Sequence, residues 1–293
     1  MTNFTRSVLW SISSLALAVF LVWSVSPQPV VALVVVPNRV TQAVDLGETF
    51  NKKIRITNET TTDQSYTLSL QPFEFGLRGE LLLNQGSTAA VSWLSLDQTQ
   101  VSVVPGQTAE VSLTVIVPAD AQSGGYAAAV VVSPATGSTE VVTSTQIMLN
   151  VKGGLQQAAK FSVFSVDDTV YTPGQQIQFQ VEFENTGNAN LTPIGQIDLY
   201  RGEDWIGDIP LNPKKQLVLA GATRNFDVTW NSTLGFGKYT AQATVNAEND
   251  LQAESQPVSF WILSWERVIP VVVALITFLI AASVLLRHPA KQN

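Results

Sequence analysis

Ile177-Gln178-Phe179-Gln180-Val181-Glu182-Phe183-Glu184-Asn185 alternates apolar and polar residues without a break. A period of two sends successive side chains to opposite faces of a strand, so one face covers a core and the other meets water. The same alternation recurs on both sides. Upstream, Ala109, Val111, Leu113, Val115 and Val117 are apolar with mostly polar residues between. Downstream come Tyr239, Ala241, Ala243 and Val245, then Val258, Phe260 and Ile262. Pro105-Gly106, Gly124-Gly125, Pro173-Gly174 and Thr186-Gly187-Asn188 are turn signals separating these runs. No stretch between 33 and 262 carries a convincing helical period. The expectation is an all-β chain.

The pattern also repeats. Gly47 precedes Asn58 of Ile54-Arg55-Ile56-Thr57-Asn58 by eleven positions, and Gly174 precedes Asn185 by the same eleven. Pro105-Gly106-Gln107-Thr108 leads a strand and then Gly125-Tyr126-Ala127-Ala128. Ala220-Gly221-Ala222-Thr223 leads a strand and then Lys238-Tyr239-Thr240-Ala241. The repeated residues read as turns and core positions of one folding unit occurring twice. Seven or so short strands in about 110 residues, with glycine-marked turns, describe an immunoglobulin-like β-sandwich. Two such sandwiches are expected at 33–152 and 158–263, joined by a linker at 153–157.

The ends read differently. Residues 1–32 carry Arg6, an apolar run from Val8 to Val25, the breaker Ser26-Pro27-Gln28-Pro29 and the small residues Val30-Val31-Ala32. That is the order of a signal peptide, with cleavage expected after Ala32; an uncleaved anchor is the other reading. Residues 268–286 contain no charge, and nineteen residues at 1.5 Å each match a hydrocarbon core of about 30 Å. Trp261 and Trp265 precede this run and suit a headgroup layer; Arg287, His288 and Lys291 follow it. The expectation is a single-pass transmembrane helix at 268–286 with the sandwiches outside the cell and 287–293 as a cytoplasmic tail.

Composition narrows the function. The net charge is −7, and residues 33–267 hold 13 Lys and Arg against 23 Asp and Glu. Such an acidic ectodomain offers no field for nucleic acid or anionic lipid. There is no cysteine, and the single histidine is His288, beyond the apolar run. Histidine- or cysteine-based triads therefore cannot form in the ectodomain, and neither a phosphate loop nor a dinucleotide fingerprint is present. No cofactor is expected, and the chain is expected not to be an enzyme.

The candidate contact is Arg201-Gly202-Glu203-Asp204-Trp205-Ile206-Gly207-Asp208. A tryptophan set among charges suits a binding surface better than a core. Trp205 with Glu203, Asp204 and Asp208 forms the candidate site; calcium is a weaker alternative for the acids, which lack the spacing of an EF-hand loop. Trp230 follows the apolar phase of its strand and is expected in the core. Asn58, Asn190 and Asn231 each open an N-glycosylation triplet.

The opening Val35-Val36-Pro37, Gly47 with Ile54 to Asn58, Val104-Pro105-Gly106-Gln107, the strand Val111 to Val117 with Pro118, and Ser123-Gly124-Gly125-Tyr126 together resemble the peptidoglycan-binding domain of the bacterial WxL-interacting proteins. That family has the same plan of signal, two sandwiches, membrane helix and basic tail. The second half, through Glu184-Asn185-Thr186-Gly187-Asn188, Leu191-Thr192-Pro193-Ile194-Gly195 and Arg224-Asn225-Phe226, is similar to a domain of uncharacterised membrane-anchored bacterial surface proteins. The resemblance implies a membrane-anchored, non-catalytic surface protein contacting cell wall peptidoglycan or another exported surface protein. The alternative is a chaperone-like assembly factor, or a structural subunit of an envelope complex, working through edge strands such as Val34-Val35-Val36 or Gln146 to Val151.

Overall fold

A computed structural model describes residues 33–135, 143–231, 234–246 and 251–287, with backbone alone at 267 and 284–287. The signal reading of 1–32 and the tail from 288 lie outside the described residues.

The first half contains β1 (Leu33–Val36), β2 (Arg39–Val44), β3 (Thr49–Asn58), β4 (Gln64–Gln71), β5 (Phe73–Phe75), β6 (Leu81–Leu83), a four-residue α1 (Ala89–Ser92), β7 (Leu94–Leu96), β8 (Gln100–Val103), β9 (Thr108–Ile116), β10 (Gly124–Pro134) and β11 (Thr143–Val151). One sheet runs β1-β3-β9-β7 and its partner β2-β11-β10-β4-β8, while β5 and β6 form a separate hairpin. The second half contains β12 (Ala159–Val166), β13 (Val170–Tyr171), β14 (Gln176–Asn185), β15 (Ile194–Arg201), β16 (Asp204–Pro210), β17 (Thr223–Asn231), β18 (Gly237–Asn246), β19 (Gln252–Glu254) and β20 (Val258–Ile262). Its sheets run β12-β14-β17 and β13-β20-β18-β15-β16, with β19 added to β18.

Apart from β5 to β7 with α1 in the first and the short β19 in the second, the two halves share one topology among the described residues. The opening segment of each changes sheets: β1 pairs antiparallel with β3 and β2 parallel with β11, as β12 pairs with β14 and β13 with β20. The chain is all-β, built of immunoglobulin-like sandwiches, and the alternation that announced it points inward as expected. Ile177, Phe179, Val181 and Phe183 are buried at 1% exposure or less, each contributing about 1.5–3 kcal/mol of apolar transfer. Ile54, Ile56, Leu113, Ile147 and Leu149 fill the first core.

The repeated residues are the joints of the unit. Asn58 and Asn185 are fully buried at the ends of β3 and β14. Asn58 Nδ2 donates to Val103 O at 2.8 Å, and Asn185 Nδ2 donates to Val218 O at 3.2 Å, the matching carbonyl. Gly106 and Gly221 both sit at φ 71° in the turn that follows, a left-handed conformation that a side chain resists. Each copy also has a tyrosine corner: Tyr126 Oη donates to Gln122 O at 2.8 Å, and Tyr239 Oη to Gly235 O at 3.0 Å. With no disulfide available, these bonds and the apolar cores hold the sheets together.

Three sequence expectations change. Of the two proposed edge strands, Val34 to Val36 does lie in the edge strand β1, but Gln146 to Val151 lies in β11, paired on both sides. Apolar alternation reads the same at an edge and inside a sheet. Asn58 and Asn190 are buried and hydrogen-bonded, so neither can receive a glycan in the folded chain. Trp230 is half-buried against the second core, less covered than its phase in the strand suggested.

After β20 the chain enters α2 (Trp265–Arg287), 23 residues long. The helix begins three residues before the uncharged run, so Pro270 lies inside it and not in its first turn. Among the described residues no helix is long and apolar enough to cross a membrane, the described side chains of α2 ending at Ser283.

Candidate functional site

The predicted contact residues lie on the β15–β16 hairpin at the open edge of the five-strand path. Gly202, at φ 66°, and Glu203 form its turn. Inward positions are set by Ile197, Leu199 and Ile209, all buried. A bulge then intervenes: Leu199 opposes Gly207, but Tyr200 opposes Trp205. The extra residue turns Trp205 onto the outer face shared with Asp198 and Asp208. Trp205 is 57% exposed. Its Nε1–H donates to Asp198 Oδ1 at 3.4 Å, and the same carboxylate accepts from Gln196 Nε2 at 2.7 Å and Thr244 Oγ1 at 3.3 Å.

Trp205 and Asp208 thus share one face, while Glu203 and Asp204 project from the turn. Among the described residues no three acidic or histidine side chains converge as metal ligands, so the hairpin offers no described calcium cage. What it offers is a flat indole held by a carboxylate on a polar sheet, suited to stacking and hydrogen bonding. Because Trp205 covers no core, Trp205→Ala is expected to change stability by less than about 0.5 kcal/mol, read as an unshifted urea midpoint.

A second constellation was not legible in the sequence. The β5–β6 hairpin leaves the first sandwich and packs on the second, where Phe73, Ala129, Val131, Met148, Leu217 and Leu219 form a separate buried cluster. Polar bonds tighten this seam. Asn190 N–H donates to Asn150 Oδ1 and Asn150 Nδ2 donates back to Asn190 O, both at 2.8 Å. Asn190 Nδ2 donates to Leu149 O at 3.1 Å, and its Oδ1 accepts Ala220 N–H at 3.0 Å. Gly125 N–H donates to Asn188 O at 2.6 Å, and a Cβ on Gly125 would run into Asn190. At the hairpin tip, Asn225 N–H donates to Leu77 O at 2.6 Å.

Arg224 completes the seam. It is only 5% exposed, donates from Nη1 to Leu217 O at 2.8 Å and lies over the Phe75 ring at 5.2 Å. Burial pushes its guanidinium below the usual arginine range, and Arg39 acts in the same direction. A cleft of about 260 Å³ opens along the seam, lined by Glu74, Phe75, Tyr126, Asn190 and Gly221 among others. The signals were present as Asn188-Ala189-Asn190 and Arg224, but asparagines after a turn glycine read equally as solvent-facing loop residues.

At the sheet-switching corner of the second sandwich, Tyr171 Oη donates to Asp167 Oδ1 at 2.6 Å and the same oxygen accepts Gln178 N–H at 3.0 Å. Burial, then this bond, pushes the Tyr171 phenol well above its ordinary range. Burial alone would raise Asp167, but the bonds from Tyr171 and Gln178 outweigh it and hold the carboxyl below its usual range.

The second sandwich matches the CARDB family over residues 158–256. No curated protein matches the chain. Among solved structures the chain is similar to a chain of a chaperone–tip adhesin complex of CFA/I fimbriae biogenesis, at 10% identity over 79% of this chain and 99% of that one, TM-score 0.40. It is also similar to the CupB2 chaperone of Pseudomonas aeruginosa, at 11% over 78% and 100%, TM-score 0.37. The E. coli chaperone DraB gives 12% over 80% and 97%, TM-score 0.35. The fold assignment rests on the sheet order of this chain and not on these distant likenesses. The CARDB match falls on the second sandwich alone, and none of these matches bears on the WxL-interacting proteins.

Proposed function

We propose that this chain is a membrane-anchored, non-catalytic surface protein whose paired sandwiches hold another exported polypeptide, with cell wall peptidoglycan as the competing ligand. One observation carries the reading. Immediately after β20 the chain runs into a 23-residue helix whose large apolar side chains, from Ile269 through Val271, Leu275 and Phe278 to Ile280, are exposed on every side. A helix apolar all round needs a nonaqueous environment, and the sandwiches leave it uncovered. Trp261 and Trp265, both exposed at its start, suit the headgroup layer, and Arg287 at its end suits the cytoplasmic side. The absence of cysteine and of any ectodomain histidine supports binding over catalysis.

The cysteine-free chain makes topology directly testable. A single cysteine at exposed Gln107 is expected to react with a membrane-impermeant maleimide in intact cells, and one at Gln292 only after lysis. Labelling of both, or of neither, in intact cells sinks the membrane-anchored reading. Capture with the detergent-solubilised full chain then separates the ligands: enrichment of a specific exported protein supports the reading, and retention of wall fragments alone replaces it. An assembly role is the second reading, favoured by an open strand edge in the second sandwich.

A further inference from the structure

The two sandwiches differ at one edge. In the first, β9 is covered by β7: Leu94 opposes Val115 and Leu96 opposes Leu113. Trp93 and Asp97 extend that cover, Trp93 O accepting Ile116 N–H at 2.8 Å and Asp97 N–H donating to Ser112 O at 3.1 Å. The repeat aligns β9 with β17 through the matched pairs Ile54–Val111 and Val181–Phe226. Ser112, Thr114 and Ile116 therefore correspond to Asp227, Thr229 and Asn231. In the second sandwich no described strand occupies the place of β7, and β17 ends its sheet.

The backbone phase of that edge is fixed by a contact already described. Asn225 N–H points away from β14, to Leu77 O of the β5–β6 hairpin. Alternation along the strand then turns the N–H and C=O groups of Asp227, Thr229 and Asn231 the same way. Among the described residues no backbone group meets them. The core positions beside them record the missing strand: Leu113 and Val115 are 0% exposed, whereas Val228 is 7% exposed and Trp230 only half-buried. Two grooves flank the edge and share Arg78 and Asp227, one along Asn212 and Phe226, the other along Gln178 and Val228.

We propose that β17 is a strand-acceptor site, and that its occupant is an extended segment of another exported polypeptide with apolar side chains at two alternate positions. Such a segment would pair antiparallel with Val228 to Asn231, as Leu94-Ser95-Leu96 pairs with Leu113 to Ile116, and would continue the line that Leu77 begins at Asn225. Main-chain bonds supply the affinity and the two apolar side chains, set on Val228 and Trp230, supply the selection. The inference deepens the proposed function by naming its partner class, and depends on that reading only for where the partner is met.

The test is amide hydrogen exchange on the full chain in detergent micelles, with a synthetic heptapeptide of residues Ser92 to Gln98 as the probe. Without peptide, the amides of Thr229 and Asn231 are expected to exchange at least about tenfold faster than those of Thr114 and Ile116. Peptide is expected to slow them about tenfold or more, and a peptide with both leucines replaced by serine is not. Thr229→Pro removes an N–H that points off the sheet, a position where an edge strand tolerates proline; it should keep the β14 ladder protected and abolish the peptide effect. If that variant unfolds, Trp230→Ala serves instead, with peptide affinity reduced and the ladder still protected. Three results overturn the proposal: slow exchange at Thr229 and Asn231 before peptide is added, which in a concentration-dependent dimer would assign the edge to a second copy; no slowing at about millimolar peptide; or slowing unaffected by Thr229→Pro. The measurement reads the edge itself, so its failure leaves the membrane-anchored surface reading standing, and a failed topology test leaves the edge result intact.

Discussion

Asn185→Ala is expected to destabilise the second sandwich by about 3 kcal/mol. The side chain is fully buried and its Nδ2 donates to Ala189 O, Val218 O and Leu219 O at 2.8, 3.2 and 2.9 Å. Its Oδ1 accepts Gly187 N–H at 3.1 Å. A sum over these bonds would overstate the loss, because two acceptors keep another donor: Val218 O also accepts Leu191 N–H, and Leu219 O accepts Ala222 N–H. Gly187 N–H likewise keeps Ala158 O at 2.9 Å. Ala189 O, in a fully buried residue, loses the bond that Asn185 gives it, and an unsatisfied buried polar group costs about 1–3 kcal/mol. The small cavity left behind adds to this. Asn58→Ala should cost less, about 2 kcal/mol, since Thr62 O keeps the Thr60 hydroxyl at 2.9 Å in a more exposed loop. Urea unfolding of both variants checks the magnitude and the order. A loss below about 1 kcal/mol for Asn185→Ala would mean that the bonds to the segment before β17 are replaceable by water.

The Asn185 bonds also mark where the sequence was legible. Alternation at Ile177 to Asn185 gave the strand, its inward face and, through the eleven-residue spacing to Gly174, its partner copy ending at Asn58. Periodicity encodes these because a strand must place every second residue on the core. It does not encode which strands sit at an edge: the run Gln146 to Val151 alternates well and is internal, while β17 alternates equally and is open. Edge position is decided by a strand elsewhere in the chain, here by the presence of Leu94-Ser95-Leu96 and the lack of a described counterpart. The candidate hairpin was legible for a similar reason. Glu203, Asp204 and Asp208 around Trp205 announced a surface segment, although Trp205 keeps the alternation phase of buried Ile209 and it is the bulge at Tyr200 that turns the indole to the outer face. The seam was hidden because its polar members, Asn150, Asn190 and Arg224, are surface residue types whose burial arises only when two units meet.

Arg224 tests that meeting. Its bond to Leu217 O lies within the second sandwich, but its stacking on Phe75 and its contact with Gly79 belong to the hairpin of the first. Arg224→Ala removes packing on both sides and is expected to cost about 3 kcal/mol. It should also loosen the coupling, so that a single urea transition becomes two. Arg224→Met separates packing from charge. Among the described residues the buried guanidinium has no carboxylate in bonding range, and its Nε has no hydrogen-bond partner. Methionine keeps most of the stem and relieves that desolvation, so its cost should fall below about 1 kcal/mol or reverse sign. A double-mutant cycle with Phe75→Ala isolates the ring contact, expected at about 1–2 kcal/mol for a desolvated cation over an aromatic face. A coupling near zero, with the single transition kept in Arg224→Ala, would show that the apolar cluster around Met148 and Leu219 alone joins the sandwiches. The expected result instead makes the β5–β6 hairpin a clamp: Phe75 holds Arg224, and Leu77 holds the start of β17, the strand whose remaining edge is open.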